Sequence, residues 1–229
     1  MKFSSLLITL LIITTPIFAQ LNGGSGGFHI GFKRASMDSY NYFTPENLDG
    51  FENNLTRVGG GGYWVINNVV IGGSGFSIRG DVKNTSLTTP IAGNYEYALK
   101  GGGGYLNVGY VVYGSPFFLV FPMVGFGFEG VSMIKSFDED IMFQEGNLLS
   151  SEYSWSSPML DIGLGIDFFP FPDYGVKMGF RIGYNLSLSN TSEWYYQGGE
   201  VLNDDLPDHD LNGLYLTFVI GGGWVSEGI

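Results

Sequence analysis

From Leu160 to Leu188, apolar residues alternate with polar or very small ones. Leu160, Ile162, Leu164, Ile166 and Phe168 take every second position, with Asp161, Gly163, Gly165 and Asp167 between them. After Phe169-Pro170-Phe171-Pro172-Asp173-Tyr174 the pattern resumes. Val176, Met178, Phe180, Ile182, Tyr184, Leu186 and Leu188 alternate with Lys177, Gly179, Arg181, Gly183, Asn185 and Ser187. Period two marks a strand, because successive side chains point to opposite faces. The stretch predicts a hairpin with one continuously apolar face. Its other face is glycine and scattered charge, not the long polar side chains of a wetted sheet, which suits an enclosed interior. Ordinary strands run about five or six residues, whereas a tilted membrane crossing needs about nine to eleven. Val176 to Leu188 is long enough to cross, so the hairpin reads as membrane-spanning with its apolar face toward lipid.

The same alternation predicts strands at Gly27 to Ala35, Leu55 to Ile66, Val69 to Arg79, Tyr95 to Val112, Phe117 to Ile134 and Gly213 to Trp224. With the hairpin this makes eight. The connections after the second, fourth and sixth strands are short: Asn67-Asn68, Tyr113-Gly114-Ser115-Pro116 and the turn around Pro172. Asn tolerates positive φ, so Asn67-Asn68 predicts a tight hairpin turn. The connections after the first, third, fifth and seventh strands (36–54, 80–94, 135–151 and 189–212) are long and polar. An even number of antiparallel strands with short turns at one end and long loops at the other predicts an all-β fold, an eight-stranded antiparallel up-and-down transmembrane β-barrel. Closure removes the sheet edges that a bilayer does not tolerate. In the fourth strand Lys100 and Asn107 have opposite parity, and if both avoid lipid a bulge in Gly101-Gly102-Gly103-Gly104 is required. Aromatics collect at both strand ends: Tyr113, Phe117, Phe118, Phe168, Phe169, Phe171 and Tyr174 by the turns, and Tyr40, Tyr42, Tyr153, Trp155, Trp194, Tyr195 and Tyr196 by the loops. Two aromatic girdles are expected where a barrel meets the two membrane interfaces.

The N-terminus changes the domain picture. Met1-Lys2, the apolar run Leu6 to Ile13 and the end Phe18-Ala19-Gln20 read as a secretory signal peptide over 1–19, cleaved after Ala19. That leaves one barrel domain, 20–229. The chain has no Cys, so neither disulfides nor a thiol-linked lipid anchor enters the argument.

With this layout the chain resembles the small eight-stranded outer-membrane barrels, the group of the OmpA transmembrane domain, OmpX and OmpW. The resemblance covers nearly all of 20–229 and rests on pattern and topology. It implies a bacterial outer-membrane location with both termini in the periplasm, and outer-membrane lipid as the surrounding partner. Such barrels usually end on a final-strand aromatic, whereas Ser226-Glu227-Gly228-Ile229 extends past Trp224.

Charge adds one loop feature. The net charge is −12, and 36–54, 136–152 and 189–212 hold fifteen of the twenty-two acids with no Lys or Arg. These segments read as solvated acidic loops. Asp204, Asp205, Asp208 and Asp210 offer hard oxygen ligands for a weak Ca²⁺ or Mg²⁺ site, without the spacing of a calcium-binding helix-loop-helix. Divalent cations or cationic partners are expected there, and the negative charge disfavours nucleic acid. No other cofactor is expected. Gly59 to Gly62 and Gly101 to Gly104 lack the Lys-Ser or Lys-Thr of a phosphate loop. His29, placed near the turn end of strand one, and His209 have no Ser at a telling spacing, so no enzyme is expected.

Inside the barrel, centring the turn on Pro172 pairs residues whose numbers sum to 344, placing Asp167 opposite Lys177 and Arg181 opposite Gly163. The expected lumen network is Asp161, Asp167, Lys177 and Arg181, joined by Glu129, within a polar, glycine-rich lumen. The expected role is structural or interactive, with four long loops displayed. The alternatives are a narrow channel for small solutes or ions, a lipid-modifying barrel enzyme, and a soluble secreted ligand-binding barrel.

Overall fold

The computed structural model describes residues 20–42, 44, 50–87, 93–138, 151–171, 174–189, 194–196, 200–202 and 211–227. The proposed signal peptide, the Pro172-Asp173 turn centre, His209 and the aspartates 204, 205, 208 and 210 lie outside these residues, as do most of the loop acids. The elements are β1 (Leu21–Ala35), α1 (Asp38–Asn41), β2 (Asn54–Ile66), β3 (Val69–Leu87), β4 (Gly93–Tyr110), β5 (Tyr113–Ser115), β6 (Phe118–Asp138), β7 (Ser151–Phe171), β8 (Val176–Ser187), β9 (Trp194–Tyr196), β10 (Glu200–Leu202) and β11 (Gly213–Glu227). Eight of them close on themselves in the order β1-β2-β3-β4-β6-β7-β8-β11, every neighbour antiparallel, with β11 returning to pair with β1. This is the predicted barrel. Among the described residues no helix is long and apolar enough to cross a membrane.

Side-chain parity sorts the wall. Phe28, Ile30, Phe32, Trp64, Ile71, Leu106, Val108, Phe126, Phe128, Ile162, Phe180, Ile182, Leu216 and Ile220 point outward and are exposed. The partners between them point inward. At the turn end, Asn67 and Asn68 have φ of 51° and 69°, the positive values a two-residue hairpin needs. Asn68 also ties neighbouring strands together: its backbone N–H donates to Leu21 O at 3.1 Å, and its Oδ1 accepts from Leu21 N at 2.8 Å.

Four expectations change. The first strand starts at Leu21, not Gly27, so His29 lies mid-strand. β4 runs without a register break through Gly101–Gly104, and the shift lies between Arg79 and Val82 of β3 instead. Lys100 simply faces outward and is exposed, across from Arg79, at the loop end of the wall where no bulge is needed to hide it. Trp155, Tyr40 and Phe169 are buried rather than part of the outer girdles, because their parity or loop position turns them inward.

The fourth change concerns the lumen, which is polar only in its middle. At the loop end Leu55, Ile78, Leu99, Val131, Met133, Trp155 and Met159 pack with Met37, Tyr40 and Phe51 of the first connection. At the turn end Leu21, Val65, Val70, Leu119, Phe121, Met123 and Phe169 form a second apolar plug. Eight strands leave an interior that side chains just fill, and apolar ones fill both ends. Tyr40, the largest residue of α1, is so deeply buried that its phenol is pushed above the ordinary tyrosine range.

Candidate functional site

Between the two plugs lies a belt of buried charge. Asp167 on β7 is its most connected member. Arg181 on β8 donates to it twice, Nη1 to Oδ1 at 2.6 Å and Nη2 to Oδ2 at 2.9 Å. Tyr63 OH donates to Oδ2 at 2.5 Å, and Lys177 Nζ stands 3.5 Å from it. A forked, charge-assisted pair of this kind fixes geometry as well as energy.

The register explains how one carboxylate reaches two cations. Asp167 pairs with Gly179 and Gly165 with Arg181, so paired numbers sum to 346, not 344. A shift at Phe168/Phe171 and a turn closing on Gly175, at φ 66°, move the turn centre past Pro172. A slip of two keeps every side chain on its face, whereas a slip of one would have turned the charges outward. Lys177 and Arg181 therefore lie on the two diagonals flanking Asp167. Gly179 between them makes room: a Cβ there would sit 2.1 Å from Asp167 Oδ1. Gly163 and Gly183 likewise form the floor under Tyr215 OH, and Gly165 under the Phe121 ring.

The remaining predicted residues are buried in the same lumen but bonded elsewhere. Glu129 takes Lys33 Nζ on one oxygen and Tyr105 OH at 2.9 Å on the other; it does not contact the Asp167 cluster. Asp161 accepts from Asn185 Nδ2 at 2.9 Å and Tyr215 OH at 3.2 Å. The single network expected is thus two ion-pair groups with a hydrogen-bonded aspartate between them. The register is the reason: Glu129 on β6 pairs with Ser157 of β7, ten residues along the strand from Asp167, and Asp161 lies between the two.

Arg57 on β2 was missed altogether. It retains 7% of its accessible surface, and its Cζ lies 3.4 Å from the Phe76 ring centre, 4.8 Å from Tyr215 and 5.6 Å from Tyr105. Its Nη1 is buried with no hydrogen-bond partner among the described residues. Its parity with Gly59 and Gly61 was the available signal. Tyr63, Tyr105 and Tyr215 were missed because a tyrosine in an alternating strand reads equally well as an outward girdle residue. Arg57, His29, Lys177, Arg181, Asp161 and Thr217 line a central cavity of about 60 Å³. Among the described residues no cluster of three or more His, Asp or Glu could hold a metal ion.

No protein-family model and no curated protein matches the chain. Among solved structures, it is similar to Ail, the attachment invasion locus protein of Yersinia pestis, at 12% identity over 90% of this chain and 99% of that one, with a TM-score of 0.40. It is similar to the outer membrane protein OprG of Pseudomonas aeruginosa at 13% identity, 92% and 97% coverage and a TM-score of 0.40. The outer membrane protease OmpT of Escherichia coli gives 12%, 92% and 96%, and 0.38. Likenesses this remote say nothing of activity, and the barrel stands on its own strand pairing.

Proposed function

We propose that this chain is an integral outer-membrane barrel with a plugged lumen and a structural or interactive role, presenting long, mostly acidic loops at one end. The observation that carries the reading is the pairing of an apolar outer belt with a blocked interior. On β1, β3 and β4 the outward positions from Gly24 to Arg34, Val69 to Arg79 and Tyr110 to Lys100 carry no charge until the last residue. Each span matches one tilted crossing. A Lys or Arg on the lipid face near the midplane costs about 2–4 kcal/mol, so charge at the belt's edge and inside the lumen is the cheap arrangement. β1 begins at Leu21 and β11 ends at Glu227, both at the end of the short turns, which corresponds to the periplasmic side in such barrels. The signal peptide over 1–19 supplies export. Two apolar plugs argue against a conducting path, and His29, enclosed in the lumen, is poorly placed for chemistry on lipid.

The test is purified protein in detergent. Unboiled protein should migrate faster than boiled protein in SDS, because a closed barrel keeps all its inter-strand hydrogen bonds. In planar bilayers it should give no steady porin-sized current. Full solubility in buffer with identical migration would remove the membrane reading. Stable large currents would replace the plugged scaffold with a channel.

A further inference from the structure

The buried belt is not electrically neutral. Lys33, Arg57, Lys177 and Arg181 are buried there against Glu129, Asp161 and Asp167. With His29 neutral, the described interior carries one excess positive charge. Between two apolar plugs that charge is poorly hydrated, and an uncompensated buried charge is costly.

The excess can be located. Lys33 is matched by Glu129, and Arg181 by Asp167. Lys177 has only a share of Asp167, at 3.5 Å. Among the described residues Arg57 has no carboxylate within ion-pair distance, and its buried Nη1 has no hydrogen-bond partner. Both cations line the cavity of about 60 Å³, which is touched by all eight barrel strands. His29, Ser74 and Thr217 add neutral donors around it. Asp161 also borders it, accepting from Asn185 on one oxygen and from Tyr215 on the other.

We propose that this cavity is a binding site for one small inorganic monoanion of the halide class, held by Arg57 Nη1 and Lys177 Nζ. One monoanion brings the belt to neutrality, where a dianion would overshoot. The cavity has room for about four waters, so a halide fits and a bulky organic anion does not. Held between the plugs, the ion is a structural component of the folded barrel rather than a permeating species. The site is independent of what the loops bind.

The experiment folds the denatured protein into detergent micelles in sodium bromide or in sodium gluconate at equal ionic strength. Crystals of the bromide form are then measured at the bromine absorption edge. The expected result is one anomalous peak in the cavity within hydrogen-bond distance of Arg57 and Lys177. The thermal transition should be several degrees higher in bromide than in gluconate, as expected for a ligand bound only by the folded state. Arg57→Met should lose both the peak and the salt dependence. If that variant does not fold, the wild-type crystal and the salt comparison decide alone. Ordered water only in the cavity, bromide at surface sites only, or equal transitions in the two salts would overturn the proposal.

Discussion

Replacing Asp167 by Asn is the sharpest probe of how the lumen is held. The substitution keeps shape and removes one charge. The carboxylate that is lost faces Arg181 through contacts of 2.6 and 2.9 Å, Tyr63 at 2.5 Å and Lys177 at 3.5 Å. An amide offers one acceptor and turns an NH₂ group toward two cations. Arg181 and Lys177 are then left in a site where both are buried. Breaking a buried ion pair by removing one partner costs about 3–5 kcal/mol. Around 4 kcal/mol is nearly a thousandfold in the folding equilibrium, at about 1.4 kcal/mol per factor of ten. The assay is denaturant unfolding in lipid vesicles, followed by tryptophan fluorescence and by the heat-dependent gel shift. Asp167→Asn combined with Arg181→Met should recover part of the loss, since only Lys177, instead of both Lys177 and Arg181, is then left without its Asp167 partner. A loss below about 1 kcal/mol for the single variant would mean that lumen water already solvates these charges, and the sealed-belt argument would fall.

The glycines of the wall should divide into two kinds. Gly179→Ala puts a Cβ 2.1 Å from Asp167 Oδ1 and 2.7 Å from Ile166 O, so it should cost about 1–3 kcal/mol. Gly75 faces outward with no atom nearer than 3.9 Å to an added Cβ, so Gly75→Ala should be neutral or stabilising by up to about 1 kcal/mol. The same unfolding assay ranks them, and equal effects would contradict the steric assignment. For the loops, if Asp204, Asp205, Asp208 and Asp210 hold a divalent cation, chelation should increase protease cleavage within 189–212 while the strands stay protected. Cleavage unchanged between Ca²⁺ and chelator leaves only a solvated acidic surface.

Period-two alternation was enough to specify eight antiparallel strands, the short-turn and long-loop ends, and the outward face, because the side-chain period of a strand is independent of its neighbours. It also placed Asp161, Asp167, Lys177, Arg181 and Glu129 inside. Pairing was another matter. The shift at Phe168/Phe171 and the turn at Gly175 set a register two residues from the one centred on Pro172, and no periodicity signals a bulge. Strand ends were equally hidden, since a hairpin can continue beyond a bilayer on backbone hydrogen bonds alone, as β3 and β4 do to Leu87 and from Gly93. Partner choice inside the barrel depends on closure: Lys33 and Glu129 are ninety-six residues apart, and only the shear of the closed sheet sets their heights equal. The same holds for Arg57, whose sequence gives its face, while the rings of Phe76, Tyr105 and Tyr215 that enclose it come from three other strands. Alternation along one chain determines which way a side chain points, and only the closed barrel determines what it meets there.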